Sequence, residues 1–413
     1  MISANLFRPL RPRPAHHYDD DGGRDEDDDE DENDASWPHL SIVYDILLQL
    51  VINLEPNTLP NYIDHSFIVR LLNVFHTQDE RERNRLKIVC HKIYSRLHTS
   101  RSFIRKATAN VILDYIFDSE TPTSSSSRMQ YYNYDCRGIG IGIGIGDLLE
   151  IWGSIINGFS VPLKEEHRVF LSKVLVPLHR PKEMQAYHKQ LAYCIYQFVE
   201  KDPRLGAEVL RSILKYWPKT NCHKEVLLIG EVEELVDRMT MTLESPAAEK
   251  QNNYQYHNHP RVLLQALALP LCTQMTKCLS SWNVQVAERA HYVWMKEQFV
   301  KTVAVAGSEE GVFGVIVGGI EKNLREHWSR SVRELSQNVK QVLEEMEPEL
   351  YAAAAAAGES EDSRSTSMRW RRKRERRWER VEMAAQINQF IRDQLQCKLP
   401  PSPSPSPSPS PSS

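Results

Sequence analysis

The sequence predicts an all-α protein, a curved α-solenoid built from HEAT-like helix-pair repeats. Three observations support this fold class. Apolar residues recur at three- and four-residue spacing along most of the 413 residues, which indicates amphipathic helices. Short polar or proline-containing turns divide these helices into successive pairs, as in helical repeats of about 40 residues. Alternating runs bounded by tight turns, the signature of strands, are nearly absent from the sequence.

The first 35 residues precede the helical pattern. They contain an acidic block from Asp19 to Asp34 and show no hydrophobic periodicity. Such a composition predicts a disordered acidic N-terminal segment, residues 1–35. The helical pattern begins near Trp37 and predicts a solenoid over residues 36–351.

The clearest helix pair follows in the first third of the chain. Asp79-x-x-Glu82 predicts a capping box, in which Asp79 accepts hydrogen bonds from first-turn amides. The turn HTSRS, residues 98–102, ends this helix, and the pattern from Ile104 to Ile116 predicts its antiparallel partner. The apolar positions that predict the first helix are Leu86, Val89, Cys90, Ile93, Tyr94 and Leu97.

The same unit recurs further along the chain. One pair is predicted at Val161–Leu178 and Tyr187–Val199, and another at Glu208–Trp217 and Glu225–Met239. Each unit has an apolar helix, a short turn and a second apolar helix, so neighbouring units can stack and bury a continuous core.

Two insertions and a C-terminal extension complete the domain organisation. The Ser- and Gly-rich insertion at about 119–146 contains GIGIGIGIG, which lacks the GK[ST] of a phosphate-binding loop. A polar insertion is predicted at about 242–260. Residues 352–398 predict an Ala-rich and charged helical extension, and the Pro-Ser repeats at 399–413 predict a disordered tail.

Bulk composition indicates the compartment. The chain has 51 basic and 55 acidic residues, a formal net charge of −4. Its seven cysteines form no CxxC pair, which indicates a reducing, intracellular environment. No secretory leader is evident, and no apolar run approaches the roughly 20 residues of a membrane-spanning helix. We therefore expect a cytoplasmic protein without a membrane partner, and the basic run RWRRKRERRWER at 369–380 leaves a nuclear-import signal open.

Candidate chemistry for catalysis is weak. His257-Asn258-His259 and Cys222-His223 lack the spacing of a four-ligand metal site. No GxSxG or HExxH motif occurs. The sequence therefore predicts no enzyme activity, metal or cofactor. The basic run at 369–380 suits phosphate neutralisation or a charged helix that docks by its tryptophan edge; we do not expect a nucleic-acid partner.

Residues 150–167, EIWGSIINGFSVPLKEEH, pose the main question about function. Ile151 and Ile155 are an i, i+4 pair on one helix face. Pro162 is expected in the first turn of the next helix, where Lys164 and His167 would share a face. Two interpretations remain at this point: core isoleucines with a solvated Lys-His pair, or the floor and cationic edge of a groove.

The earlier helix pair favours a groove. His91, Lys92 and Tyr94 lie on one predicted helix, and Arg101 lies in the turn after it. Neighbouring pairs of a solenoid expose equivalent edges on one concave surface. Cationic side chains beside two isoleucines suit a short peptide with apolar anchors and a carboxylate.

Several sequence blocks, in order, resemble one known family. They resemble the B-prime regulatory subunits of protein phosphatase 2A, with interruptions from Asn5 to about Tyr351, and ERRWERVEMAA at 375–385 resembles the charged C-terminal helix of that family. The blocks are NLFRPL (5–10), WPHLSIVYD (37–45), DERERNRLKIVCHKIYSRL (79–97), SIINGFSVPLKEEHRVFLSKVLVPLH (154–179), QLAYCIYQFVEKD (190–202), LKYWPKT (214–220) and QVAERAHYVW (285–294).

This resemblance implies a non-catalytic subunit of a heterotrimer. The partners would be a HEAT-built scaffold subunit, the serine/threonine phosphatase catalytic subunit, and substrate proteins that carry short Leu-x-x-Ile-x-Glu motifs. Lys92 stands where the family usually has arginine; lysine keeps the charge but loses the bidentate fork. The implied peptide-binding positions are His91, Lys92, Tyr94, Arg101, Ile151, Ile155, Lys164 and His167. The alternative is a HEAT-type transport or assembly adaptor unrelated to phosphatase.

Overall fold

The computed structural model describes residues 2–8, 36–120, 144–244, 260–302 and 310–360, with single positions between 375 and 386. Within these ranges the regular secondary structure is helical and no strand occurs. The predicted all-α class is therefore confirmed. Most of the Gly-Ile repeat (residues 138–143), the Asn-rich part of the second insertion and the Pro-Ser tail lie outside the described residues.

The described helices follow one another with short connections. Brief 3-10 segments at Leu59–Asn61, Val74–His76 and Lys182–Ala186 lie between them. In chain order the α-helices are α1 (Ile2–Leu6), α2 (Trp37–Asn53), α3 (His65–Asn73), α4 (Glu80–Arg96), α5 (Arg101–Glu120), α6 (Ile145–Asn157), α7 (Glu165–Phe170), α8 (His188–Lys201), α9 (Arg204–Lys215), α10 (Cys222–Glu244), α11 (Pro260–Leu279), α12 (Val284–Trp294), α13 (Glu297–Val300), α14 (Glu310–Glu326), α15 (Arg330–Met346) and α16 (Pro348–Ser360).

The helices of the first compact unit, Met1–Pro348, form two layers. In one layer α2, α4, α6, α8, α10, α12 and α15 pack side by side in that order. In the other layer α3, α5, the segment after α7, α9, α11 and α14 do the same. Because the chain alternates between the layers, each repeat is a pair of helices. This arrangement confirms the predicted helix-pair repeat fold.

A second compact unit comprises Glu349–Ser413. Helix α16 runs through the alanine run to Ser360, and the described positions between 375 and 386 are helical. Helix is the expected state of an alanine run, because alanine has the highest intrinsic helix propensity. The charged part of the predicted extension is thus helical wherever the structure describes it.

The N-terminus differs from its prediction. Residues 2–6 form helix α1 instead of a disordered segment, and Leu6 is fully buried. Arg8 forms an ion pair with Glu82 of α4. The expectation of disorder is therefore wrong for residues 2–8. The expectation failed because Leu6 and Arg8 make specific contacts in the folded chain, and composition alone does not reveal such contacts.

The region around the second predicted pair also differs. Helix α7 begins at Glu165 with Lys164 as its N-cap, so Pro162 precedes the helix and is not in its first turn. The predicted continuous helix to Leu178 is a π-helical turn, Leu171–Leu175, followed by a 3-10 turn, Val176–His179. Pro177 explains the change, because proline lacks the amide hydrogen and clashes with the preceding turn.

The insertions are shorter than predicted. Helix α5 continues to Glu120 and α6 begins at Ile145, while α10 continues to Glu244 and α11 begins at Pro260. The flanking helices therefore extend into both ends of the ranges 119–146 and 242–260 that composition predicted as insertions. Composition marked the centres of the insertions but not the helix ends.

Helix α11 is apolar along most of its length. The stretch Val262–Leu279 is long and apolar enough to cross a membrane by length and composition, so the expectation that no such run exists is wrong. In the first unit this helix packs against α9, α12 and α14, and Leu271, Cys272 and Met275 are fully buried. Burial between neighbouring helices accounts for its composition.

Candidate functional site

Helices α4 and α6 lie side by side in one layer, and two ion pairs fix their register. Arg83 Nε lies 2.9 Å from Asp147 Oδ2, and Lys87 Nζ lies 2.7 Å from Glu150 Oε2. The residue numbers increase together along both helices, so the two helices run parallel. Lys87 also pairs with Asp147 at 2.9 Å, which joins the two contacts into one network.

This register brings the predicted groove residues of the two helices together. The Lys87–Glu150 pair spans 63 positions; the same offset places Lys92 level with Ile155. Ile155 and Ile151 are 7% and 8% exposed, so each isoleucine contributes mainly to the core and presents a small edge to solvent. The interpretation of the isoleucines as core residues is therefore supported, and their role as the floor of a groove stays a prediction. His91 is exposed on the α4 side.

Arg101 joins the end of α4 to the start of α5. Its Nε donates to the carbonyl of Tyr94 at 2.9 Å and its Nη2 to the carbonyl of Ser95 at 3.1 Å. Its guanidinium carbon lies 5.2 Å from the centroid of the Tyr94 ring. Arg101 thus satisfies carbonyls that α4 leaves open at its C-terminus, and it holds the tyrosine ring in place.

Arg105, one turn further along α5, connects the cluster to α7. Its Nη1 donates to the Tyr94 hydroxyl oxygen at 3.1 Å, and its Nη2 donates to Glu166 Oε1 at 3.0 Å. Sequence reasoning missed both Arg105 and Glu166. The signal was available for Arg105, because it is four residues after Arg101 and so lies on the same helix face.

His167 is a buried histidine whose ring is packed rather than solvated. It stacks on Phe159, with ring centroids 3.6 Å apart and planes within 2° of parallel. Its Nε2 lies 3.4 Å from Glu166 Oε1, and its Nδ1 finds no hydrogen-bond partner among the described residues. The prediction of a solvated Lys-His pair is therefore wrong for His167, whereas Lys164 is exposed.

The electrostatics of the site disfavour a charged His167. Burial lowers the pKa of His167 below its usual value, and the positive charges of Arg105 and Lys164 lower it further, against the opposing effect of Glu166. The imidazole is therefore neutral at pH 7. A carboxylate bound at Nδ1 would favour the protonated ring and would reverse this effect.

The predicted residues thus fall into two adjoining groups. The first group is on α4 and α6, where the register places Lys92 level with Ile155, Ile151 lies one turn before Ile155, and His91 is exposed. Tyr94, Arg101, Lys164 and His167 surround the Arg105–Glu166 pair, where cationic side chains outnumber carboxylates. We call the two groups together the α4–α7 groove. Its chemistry suits an apolar side chain followed by an anionic one.

The structure gives no indication of a metal centre in the residues it describes. No cluster of three or more histidine, cysteine, aspartate or glutamate side chains in those ranges could hold a metal ion. His257 and His259 lie outside the described residues, and Cys222 and His223 are the first two residues of α10.

The fold defines a class of protein: an all-α protein built from helix-pair repeats. The family model described as protein phosphatase 2A regulatory B subunit (B56 family) matches residues 1–248 and 256–385. The chain therefore belongs to the B56 family of protein phosphatase 2A regulatory subunits. This family is regulatory and not itself catalytic, and membership does not favour the adaptor alternative.

Related proteins are also named as regulatory subunits of protein phosphatase 2A. The chain is 39% identical over 389 residues to the 57 kDa B' alpha isoform of the protein phosphatase 2A regulatory subunit of Arabidopsis thaliana, covering 94% of this chain and 69% of that protein. Identity to the B' beta isoform of the same plant is 39% over 353 residues, with coverage of 85% and 62%. Identity to the B' epsilon isoform is 38% over 392 residues, with coverage of 94% and 70%. The family resemblance seen in the sequence blocks is thus confirmed.

Proposed function

We propose that this chain recruits substrates to protein phosphatase 2A by binding Leu-x-x-Ile-x-Glu segments in the α4–α7 groove. In the complete assembly it joins the scaffold subunit and the catalytic subunit, in the cytoplasm and also in the nucleus. The observation that supports the proposal is the contact chain Tyr94–Arg105–Glu166–His167, which links α4, α5 and α7 next to the exposed Lys164 at the start of α7.

The spacing of the motif suits the repeat. In an extended peptide the leucine and isoleucine are three residues apart, about 10 Å. Packed helices lie about 8–10 Å apart, so two such anchors match two neighbouring depressions between helices. In the proposed binding mode, the small exposed edges of Ile151 and Ile155 on α6 would contact one of these anchors.

The glutamate of the motif would lie about 7 Å beyond the isoleucine in an extended chain. That reach extends from α6 towards the cationic group at the end of α4 and the start of α7. Lys164 is exposed there, and His167 Nδ1 has hydrogen-bonding capacity that no described residue uses. A bound carboxylate would accept hydrogen bonds from Lys164 and from His167 Nδ1. Such charge-assisted hydrogen bonds are stronger than hydrogen bonds between neutral groups.

Co-purification tests the assembly. A tagged chain expressed in plant cells should retain the scaffold and catalytic subunits at physiological salt. A chain that folds normally but retains neither subunit would refute the phosphatase assignment for this protein. Fluorescent tagging in the same cells tests the two compartments.

Peptide binding tests the groove. We expect Lys164→Ala and His167→Ala each to weaken binding of a Leu-x-x-Ile-x-Glu peptide about tenfold or more, because a charge-assisted hydrogen bond contributes about 1.5–3 kcal/mol. Lys173→Ala, an exposed lysine on the other layer, is the matched control and should change nothing. Affinity should also rise as the pH falls through the pKa of His167, since a bound carboxylate favours its charged form. Equal affinities for all three variants would refute the groove.

A further inference from the structure

Residues 2–8 contact the solenoid as a separate short segment. Helix α1 has only five residues, too few to be stable alone in water. Residues 9–35 separate it from α2 along the chain. Its helical structure must therefore come from the surface on which it lies, as for a peptide ligand that folds on binding.

Apolar contacts hold two of its residues. Leu6 is fully buried. The Phe7 ring meets the Phe67 ring edge to face, with centroids 5.1 Å apart. The guanidinium carbon of Arg70, one turn further along α3, lies 4.1 Å from the centroid of the Phe7 ring. The segment thus presents an apolar pair to a surface that already contains an aromatic ring and a cation.

An ion pair holds the next residue. Arg8 donates to both carboxylate oxygens of Glu82, at 2.9 and 3.1 Å. The Glu82 side chain is fully buried, and the Tyr44 hydroxyl also donates to it, at 2.9 Å. A buried carboxylate is costly unless it is paired. Glu82 therefore does not complete the predicted capping box at the start of α4; it faces inward and receives a guanidinium.

We propose that Tyr44, Phe67, Arg70 and Glu82 form a peptide-binding site, the N-terminal seat, which recognises a short helical Leu-Phe-Arg segment. In the intact chain residues 6–8 occupy it as an intramolecular ligand. The bidentate carboxylate–guanidinium geometry selects arginine over lysine, and the buried Leu6 position selects an aliphatic residue. This site is distinct from the α4–α7 groove and does not depend on the function proposed for that groove.

The tether sets when an external peptide can bind. A ligand in the same chain as its site binds intramolecularly, at an effective concentration that reaches the millimolar range for short linkers. A free peptide at micromolar concentration therefore competes poorly with residues 6–8 in the intact chain. Cutting the chain between residues 9 and 35 removes this advantage and opens the seat to exchange.

The test uses the full chain with a protease site inserted between residues 9 and 35. After folding and cleavage, we expect the N-terminal fragment to dissociate on dilution and a fluorescent ISANLFRPL peptide to bind saturably in its place. Peptides with Leu6→Ala or Arg8→Gln should bind at least tenfold more weakly, in line with loss of a buried anchor or a charged hydrogen bond. A Ser3→Ala peptide is the control and should bind within about twofold of the parent.

Two results would overturn the proposal. One is a fragment that stays bound after extensive dilution and never exchanges with the labelled peptide, which would make residues 2–8 a permanent part of the core. The other is a cleaved, folded chain that binds parent and Arg8→Gln peptides equally. The full-length Glu82→Gln variant gives a second measurement: its fragment should dissociate at least tenfold faster after cleavage, and an unchanged rate would contradict the role of the carboxylate.

Discussion

The most sharply defined polar cluster of the core is centred on Glu231 of α10. Its carboxylate is fully buried and lies 3.0 Å from His179 Nε2 and 2.8 Å from His188 Nε2. His179 Nδ1 lies 2.8 Å from the carbonyl oxygen of Val176. Carboxylate and carbonyl oxygens only accept, so both ring nitrogens of His179 must donate. The geometry therefore requires a protonated His179.

The pKa directions agree with this requirement. Burial acts against charge on both partners, but the attraction between them is stronger: the pKa of His179 is raised, and the pKa of Glu231 falls to about 2. Glu231→Gln keeps the shape but removes the charge. Removing one partner of a buried ion pair costs about 3–5 kcal/mol, so we expect the variant to lose at least about 3 kcal/mol of unfolding free energy at pH 6.

The cost should decrease as pH rises. The folded-state pKa of His179 lies above its unfolded value near 6.5, so its contribution is complete below that pH and is lost as pH rises through the folded pKa. As the pH rises through the folded-state pKa of His179, the difference between parent and variant should fall towards about 1–1.5 kcal/mol, the net value of an ordinary hydrogen bond. Lys224, whose pKa is lowered to about 8 mainly by burial, acts in the opposite direction in both proteins, and its charge also disfavours the protonated form of His179.

The assay is urea unfolding of parent and variant at pH 6 and pH 9, followed by circular dichroism. Glu165→Gln, at an exposed position, makes the same charge change and should stay within about 0.5 kcal/mol of the parent. A difference between parent and Glu231→Gln that is constant or grows with pH would refute the protonated His179. Two other titratable groups lie near the cluster. Glu183 raises the pKa of Lys224. Burial, together with Glu231, raises the pKa of Tyr196.

Three further predictions concern stability and reactivity. Ser336 Oγ contacts Nε2 of the buried His291 at 2.8 Å. Ser336→Ala leaves this nitrogen without a hydrogen-bond donor, so the free energy of unfolding in urea should fall by about 1–3 kcal/mol. An unchanged unfolding midpoint would contradict this. Gly144→Ala should destabilise by about 1–3 kcal/mol, since its φ is 81° and an added Cβ would overlap the carbonyl oxygen of Phe75, whereas Gly314→Ala, with open space around it, should not. Burial raises the pKa of four thiols to about 12, those of Cys90, Cys194, Cys272 and Cys278. These thiols should react with a disulfide reagent at pH 8 only after the protein unfolds. Fast labelling of the native protein would contradict this.

Hydrophobic periodicity was sufficient to predict the helix-pair fold, because the first layer and the second layer each need an apolar face on every helix. It was insufficient wherever the backbone departs from the α-helix. The change of helix type between Leu171 and His179 leaves the apolar spacing almost intact, and only Pro177 marks it. Helix ends at the insertions were misplaced for a related reason: polar residues continue a helix for a turn or more at little cost.

The residues of the candidate site could be grouped from sequence only in part. Spacing placed Ile151 and Ile155 on one face, and in the structure both lie on α6 with little exposed surface. Sequence could not show that His167 is packed against Phe159, because that contact depends on where the chain returns after α6. Nor could it show that the acid beside His167 is Glu166 held by Arg105, a pairing that spans 61 positions in the chain.

Arg101 shows how a residue can be grouped correctly for an incomplete reason. The sequence suggested a cation that contacts the ligand, but two of its N–H groups already serve the end of α4. A guanidinium carries five N–H donors, so at least part of the fork remains for an anion, and its orientation is fixed before the anion arrives. Preorganisation of this kind lowers the entropy cost of binding. A lysine at the same place could satisfy the α4 carbonyls or an anion, but with three donors on one atom it could not hold both in a planar geometry. In the proposed binding mode, two backbone carbonyls hold Arg101 before the anion binds, whereas Lys92 makes no comparable contact with the end of its own helix within the described part of the chain.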